Sequence, residues 1–231
     1  WNPLFALPVS IVVVCLTAAG VYALVRRVEK NREMNSLILT FGLGVILTNL
    51  VLYVWKADIH STSVGWFQEP VVVGPLFSTR AELLFCVTSF VLVALLWLWL
   101  TRSWYGRAVR AVSSNRDAAR LMGIDPHATE LVSFVVAGIL ASFAGVAIYC
   151  ASVIQPALGN ALTIKAFIVT ILAGIGSIPG VLVGAVLLGV SEALTITLLS
   201  SALQELTAML LLLVVLLVLP NGLFGRAGRR A

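Results

Sequence analysis

Two ionisable side chains, Lys165 and Glu192, stand inside long apolar runs, where a charge in hydrocarbon is costly and therefore informative. At a helical rise of about 1.5 Å per residue, Glu192 falls about 20 Å into the run that begins at Pro179. Lys165 sits near one end of the apolar piece Asn160–Gly174. Both positions fall in the outer third of a bilayer, so the two side chains can pair. The pair is either a structural ion pair or part of a polar lining that meets a zwitterionic solute. Asn49, with Thr48 beside it, lies at a similar depth on another apolar run and can join that lining.

Other chemistries find little material. Cys15, Cys86 and Cys150 lie in separate apolar runs without metal-ligand or redox spacing, and read as small buried hydrophobes. His60 and His127 are single and far apart, so no metal site is expected. The glycine cluster Gly174-Ile175-Gly176-Ser177-Ile178-Pro179-Gly180 lacks the lysine of a phosphate loop, and no G-x-x-x-x-G-K-[ST] occurs in the chain. Gly174, Gly176, Pro179 and Gly180 read as a tight turn, or as backbone lining the exit of a pore. No ATPase activity and no bound cofactor are expected of this chain. Glu82 favours a helix start through the helix dipole, and nothing more is assigned to it.

The most distinctive polar segment is Tyr105–Thr129, YGRAVRAVSSNRDAARLMGIDPHAT, which carries Arg107, Arg110, Arg116 and Arg120 between apolar runs. Ser114 followed three residues later by Asp117 has the spacing of a capping box. Gly123 with Ile124 after it has the form of a Schellman stop. Asp125-Pro126 then restarts a helix, with the acid capping and the proline at the first helical position. The expectation is a short rigid helix over about residues 115–122, bounded by turns. A cationic loop that only fixes topology needs charge alone; this one also specifies a shape, which suits a contact surface.

These residues must be positioned by membrane-spanning elements. A hydrophobic share of 60%, charged residues at 11% and a mean hydropathy of +1.06 exclude an ordinary soluble domain. About 20 helical residues cross a hydrocarbon core. The runs Pro3–Val25, Asn35–Trp55, Ala81–Thr101, Thr129–Ser152, Pro179–Thr197 and Gln204–Leu219 qualify or nearly qualify, and Asn160–Gly174 is a part-span. The fold class is an all-α polytopic membrane protein with about seven spans or part-spans. Between the second and third, Lys56–Arg80 is a polar loop whose Val71–Val73 run forms a short strand or a lid.

Alternating the spans gathers Arg26, Arg27, Lys30 and Arg32, then Arg102, Arg107, Arg110, Arg116 and Arg120, then Arg226, Arg229 and Arg230 on one side. Lys56, Arg80 and Lys165 fall on the other. The bias puts Tyr105–Thr129 in the cytoplasm. The net charge of +5 is thus accounted for by topology, without nucleic acid. Small-residue stripes, Ala137/Ala141/Gly145 and Ala185/Gly189/Ala193 with Gly180 and Gly184, mark close helix packing, inside the chain or between subunits.

The runs RAVSSNRDAARLMGID, AFIVTILAGIGSIPGVLVGAVLLGVSEAL and LPNGLFGR resemble the membrane permeases of branched-chain amino acid ABC importers, of the LivH type. The likeness is strong over Trp104–Arg226 and collinear over Pro3–Thr101. Asp117-Ala118-Ala119-x-x-x-Gly123 also looks like the EAA-x-x-x-G coupling motif, with aspartate in place of glutamate. The resemblance implies one permease domain over residues 1–231 in a bacterial plasma (inner) membrane, with a coupling-helix segment at residues 105–125. Arg116, Asp117, Ala118, Ala119, Leu121 and Gly123 would meet an ATPase. It also implies a related second permease subunit, as homo- or heterodimer, two cytoplasmic ATPases that hold ATP and Mg, and an extracytoplasmic binding protein. Family chains begin with further apolar segments including Asn-Phe-x-His-Gly, so the N-terminal part is expected to be missing here. The family also carries urea, short amides and small organic acids. An ion-coupled secondary carrier and a purely structural membrane subunit are the readings from other classes; the first would call for more titratable groups at mid-membrane.

Overall fold

The computed structural model describes residues 3–27, 32–55, 69–73, 76–151, 158–174, 176–219 and 222–225. Lys30, Lys56, His60, the Pro220-Asn221 stop and Arg226, Arg229 and Arg230 lie outside them. Apolar stretches become helices because hydrocarbon offers no partner to a backbone N–H or C=O, and a helix satisfies both internally. Five helices among the described residues are long and apolar enough to cross a membrane, and two shorter apolar ones accompany them. The chain divides into two compact units, Trp1–Pro156 and Ala157–Ala231.

The first unit holds α1 (Pro3–Arg26), α2 (Arg32–Trp55), a hairpin of β1 (Pro70–Val73) and β2 (Leu76–Thr79), α3 (Arg80–Arg102), α4 (Trp104–Ser114), α5 (Arg116–Leu121) and α6 (Pro126–Ala151). The valine run is thus a strand, antiparallel to β2 with Pro70 opposite Thr79 and Val73 opposite Leu76. An Arg80–Glu69 ion pair of 2.8 Å closes its base. Thr79 and Glu82 form a reciprocal capping box at the start of α3, with Glu82 N donating to Thr79 Oγ1 at 3.3 Å and Thr79 N to Glu82 Oε2 at 3.0 Å.

Helices α1 and α6 pack along Gly138, Ser142, Val146 and Cys150, which are buried at every fourth position of α6. A Cβ on Gly138 would lie 3.3 Å from Ala18 Cβ and 3.5 Å from Val14 O, so glycine sets how near the backbones come. Ser142 Oγ donates across the seam to Ser10 O at 3.2 Å.

The second unit is α7 (Leu158–Ala173), α8 (Ile178–Leu198), a 3₁₀ turn (Ser201–Leu203) and α9 (Gln204–Val218). Ile168, Leu172, Leu188 and Ala208 form its core. Gly184 lets α8 close on α7, since a Cβ there would lie 3.2 Å from Val169 O. Beyond α9 the chain returns to α7: Leu223 N donates to Leu172 O at 2.8 Å and Phe224 N to Ala173 O at 3.1 Å. These bonds satisfy carbonyls that the end of a helix leaves open.

The expectation for the small-residue stripes is overturned in part. Gly180 and Gly184 are buried, but Ala137, Ala141, Gly145, Ala185, Gly189 and Ala193 are exposed in the chain. A Cβ on Gly145 or Gly189 would meet nothing within 4 Å. The helix seam within the first unit runs one residue further round α6, through Gly138. Cys86 also faces outward rather than into a core.

Candidate functional site

The polar segment between the spans folds as three pieces. Ser103 breaks the chain in an extended conformation, ends α3 and caps α4 by accepting from Gly106 N at 2.9 Å. Gly106 folds back so tightly that a Cβ would overlap the Leu100 backbone. Helix α4 is unexpected: its residues lie in a stretch with the polarity of a loop, and it presents Trp104 and Tyr105 at its start, in edge-to-face contact at 5.3 Å. Arg107 Nη1 donates to Arg102 O at 3.3 Å and Arg110 Nη1 to Leu100 O, so both guanidiniums close carbonyls at the end of α3.

The capping box expected from Ser114 is not formed. Ser114 is the last residue of α4, and Asn115 (φ −155°, ψ 110°) is the cap of α5. Its side-chain oxygen accepts from Asp117 N at 3.1 Å and Ala118 N at 3.0 Å. The other end follows the Schellman pattern. Gly123 has φ +79°, Ile124 N donates to Ala119 O at 3.1 Å, and Gly123 N donates to Arg120 O at 3.0 Å. Helix α6 then starts at Pro126 with Asp125 Oδ1 accepting from His127 N at 2.9 Å.

The tip of this short helix is apolar. Leu121 is 89% exposed and Met122 82%, whereas Ala119 is buried and fixes the helix to the unit. Asp117, Ala118, Arg120 and Gly123 are exposed beside them. Arg116 turns inward: its Nη2 lies 3.3 Å from Glu130 Oε1 and 3.4 Å from His127 Nδ1. The buried Tyr22 hydroxyl of α1 lies 3.0 Å from His127 O and 3.3 Å from Glu130 Oε2, and its ring tilts on Phe134 at 5.4 Å. The root of α5 is thus tied to α6 and α1 by residues that carry no motif. Nothing in their spacing advertises the contact, because Tyr22 and Glu130 come from distant positions. Among the described residues Arg120 is the one arginine of the four that neither a carbonyl nor an acid of the chain engages.

In the second unit, Lys165 Nζ lies 2.8 Å from Glu192 Oε2. Gln204 Nε2, at the first position of α9, donates to the same oxygen at 2.6 Å. Glu192 is 9% exposed, and its Oε1 is buried without a partner. Gln204 is a member of the cluster that no pattern in the sequence marks. Asn49 lies in the first unit, where its Nδ2 donates to Val45 O of its own helix at 2.8 Å. The glycine cluster is a turn in which Gly174 and Gly176 have φ of +86° and +88°, Ser177 Oγ accepts from Gly180 N at 3.1 Å, and Pro179 lies in the first turn of α8. A Cβ on Gly180 would lie 2.5 Å from Ala173 O.

Membrane-length helices, helix seams set by glycine and a capped polar knob between them describe a multi-pass membrane protein. The model of the family "Branched-chain amino acid transport system / permease component" matches residues 1–219, and the chain belongs to that family. It is a permease subunit of the ABC-importer type. The high-affinity branched-chain amino acid transport system permease protein LivH of Salmonella typhimurium is 33% identical over 87% of this chain and 67% of its own length. The permease protein BraD of the corresponding system of Pseudomonas aeruginosa is 31% identical over 97% of this chain and 76% of its own length. A probable LivH of Methanocaldococcus jannaschii is 30% identical over 96% and 75%. No solved structure matches the chain.

Proposed function

We propose that this chain is the membrane-spanning subunit of an ATP-driven importer of branched-chain or other amino acids in a bacterial plasma membrane. Helix α5 is its coupling helix and faces the cytoplasm. The observation that carries the reading is the exposure of Leu121 and Met122 on a helix held by Asn115 at one end and Gly123 at the other. Large apolar side chains on a polar, rigid segment make sense when a partner covers them. Asp117, Ala118, Leu121 and Gly123 form the surface offered to an ATPase. Ala119 and Arg116 hold that surface in place from below.

Residues 1–231 act as one permease domain, paired with a second copy or a related permease. Two ATPase subunits hold ATP and Mg and do the hydrolysis; this chain holds neither. An extracytoplasmic protein delivers the substrate, and Asn49, Lys165 and Glu192 contribute to the path across. The glycine turn at Gly174, Gly176, Pro179 and Gly180 shapes one end of that path. The outward stripes Ala137/Ala141/Gly145 and Ala185/Gly189/Ala193 suit contact with the second permease.

Copurification from native membranes tests the assembly: tagged protein should bring down two ATPases and a permease. Reconstituted with its binding protein, the assembly should take up leucine only when ATP is present on the ATPase side. Uptake of urea, an amide or an organic acid in place of leucine would reassign the substrate. Uptake driven by an ion gradient without ATP would overturn the reading.

A further inference from the structure

The elbow between α3 and α4 concentrates positive charge that nearby residues do not balance. Arg102 ends α3, Arg107 Nη1 donates to Arg102 O at 3.3 Å, and Arg110 Nη1 donates to Leu100 O, so three arginines gather at one helix end. All three are exposed. No aspartate or glutamate occurs in the sequence between Glu82 and Asp117. A guanidinium has five N–H donors, so closing one carbonyl leaves Arg107 and Arg110 with donors to offer outward. The Arg102 side chain closes no carbonyl among the described residues. Trp104 and Tyr105 stand exposed beside the arginines, and such amphipathic rings settle at the level of lipid headgroups.

The outward face of α3 leads to the same point. Val91, Leu95 and Leu98 are 50%, 55% and 46% exposed and recur at helical spacing with Arg102, forming one stripe that is apolar up to its last residue. The stripe from Val91 to Arg102 measures about 16 Å at the helical rise. One leaflet's hydrocarbon measures about 15 Å. An apolar length that ends in arginine, with aromatic rings at the junction, has the chemistry and the dimension of one phospholipid. We propose that the α3–α4 elbow binds an anionic phospholipid, its phosphate on Arg102, Arg107 and Arg110 and one acyl chain along Val91, Leu95 and Leu98. Guanidinium suits phosphate because two N–H groups meet two oxygens at once. A free phosphate would use the arginines alone, whereas the lipid gains the stripe as well. Helix α4 carries the chain about 16 Å before α5 begins, so a lipid at the elbow leaves the apolar tip open to another partner. The site concerns the bilayer and is independent of what drives uptake.

The test is lipid binding by the purified full chain in detergent, read by native mass spectrometry with dioleoyl phosphatidylglycerol and dioleoyl phosphatidylcholine offered together. The wild type should retain the anionic lipid in preference. Arg102→Gln should weaken phosphatidylglycerol binding by about fivefold, the share of one cation near an anionic lipid surface, and leave phosphatidylcholine binding unchanged. Arg102→Lys keeps the charge and should keep most of the preference. Leu95→Gln interrupts the stripe without touching the arginines, and should weaken binding of both lipids. The Arg102 side chain caps nothing, so Arg102→Gln should unfold at the wild-type temperature when no lipid is added; if it does not, Arg102→Lys and Leu95→Gln decide. Equal retention of both lipids by the wild type, or a preference that Arg102→Gln leaves undiminished, would mean arginines that only close α3 and would overturn the site. Inorganic phosphate in large excess should not displace the lipid; displacement would make this a site for a free anion and overturn the lipid assignment. None of these failures touches the importer reading, which uptake with ATP tests separately.

Discussion

At Asn115 one side-chain oxygen holds two backbone N–H groups of the next helix, in a segment too short to be stable without help. Asn115→Ala should therefore destabilise α5 by about 1 kcal/mol, seen as faster hydrogen exchange over residues 116–121 in the solubilised protein. Glu130→Gln removes the charge that Arg116 meets and should loosen the same amides, while Tyr22→Phe keeps the ring against Phe134 and should do less. Exchange unchanged in Glu130→Gln would mean that this pair does not anchor the helix. The stop at Gly123 was readable because glycine supplies the left-handed residue that ends a helix, and apolar Ile124 follows it as that stop requires. The start was not: Ser114 and Asn115 are both good caps, and Ser114 is excluded only because α4 runs through it. Helix α4 itself went unread because arginine and small residues give its sequence the look of a loop.

Helices as elements were legible almost end to end, since hydrocarbon enforces a minimum length and permits no irregular backbone in contact with lipid. Faces were not legible. On α6, Ala137/Ala141/Gly145 and Gly138/Ser142/Val146/Cys150 are adjacent stripes of small or compact residues, and composition cannot rank them. The seam with α1 chooses the second, where Ser142 also finds a carbonyl. Gly138→Leu should overpack that seam and lower stability by about 1–3 kcal/mol, measured by thermal unfolding in detergent. Gly145→Leu meets open space and should leave unfolding unchanged while reducing copurification of the second permease. The opposite pattern would exchange the roles of the two stripes. The closure of α7 by Leu223 and Phe224 was equally hidden, because it joins segments that no local periodicity connects.

For the whole molecule, coupling asks whether the knob moves with the spans. The links from Arg116 to Glu130 and Tyr22 supply a route through packed, hydrogen-bonded groups. Ala118→Arg places a long cation on the offered face, and Gly123→Pro denies both the positive φ and the N–H used by Arg120 O. Both variants should insert and assemble, with ATP hydrolysis persisting while uptake falls by about tenfold. Normal uptake at wild-type expression would remove α5 from the coupling role. The substrate was not legible at this scale, because the side chains that select it act through a few contacts and leave the helix pattern untouched.

The hydrogen bonds of Arg107 and Arg110 to carbonyls of α3, and the inward pairing of Arg116 with Glu130, change what this basic stretch offers to a neighbour. Its protruding end is two bare hydrocarbon side chains, Leu121 and Met122, with Arg120 and Asp117 exposed beside them. Attachment there should behave like oil on oil, nearly indifferent to sodium chloride and tightened by sulfate, which strengthens apolar burial. A steep fall in ATPase retention with rising sodium chloride would show that charge, after all, does the gripping.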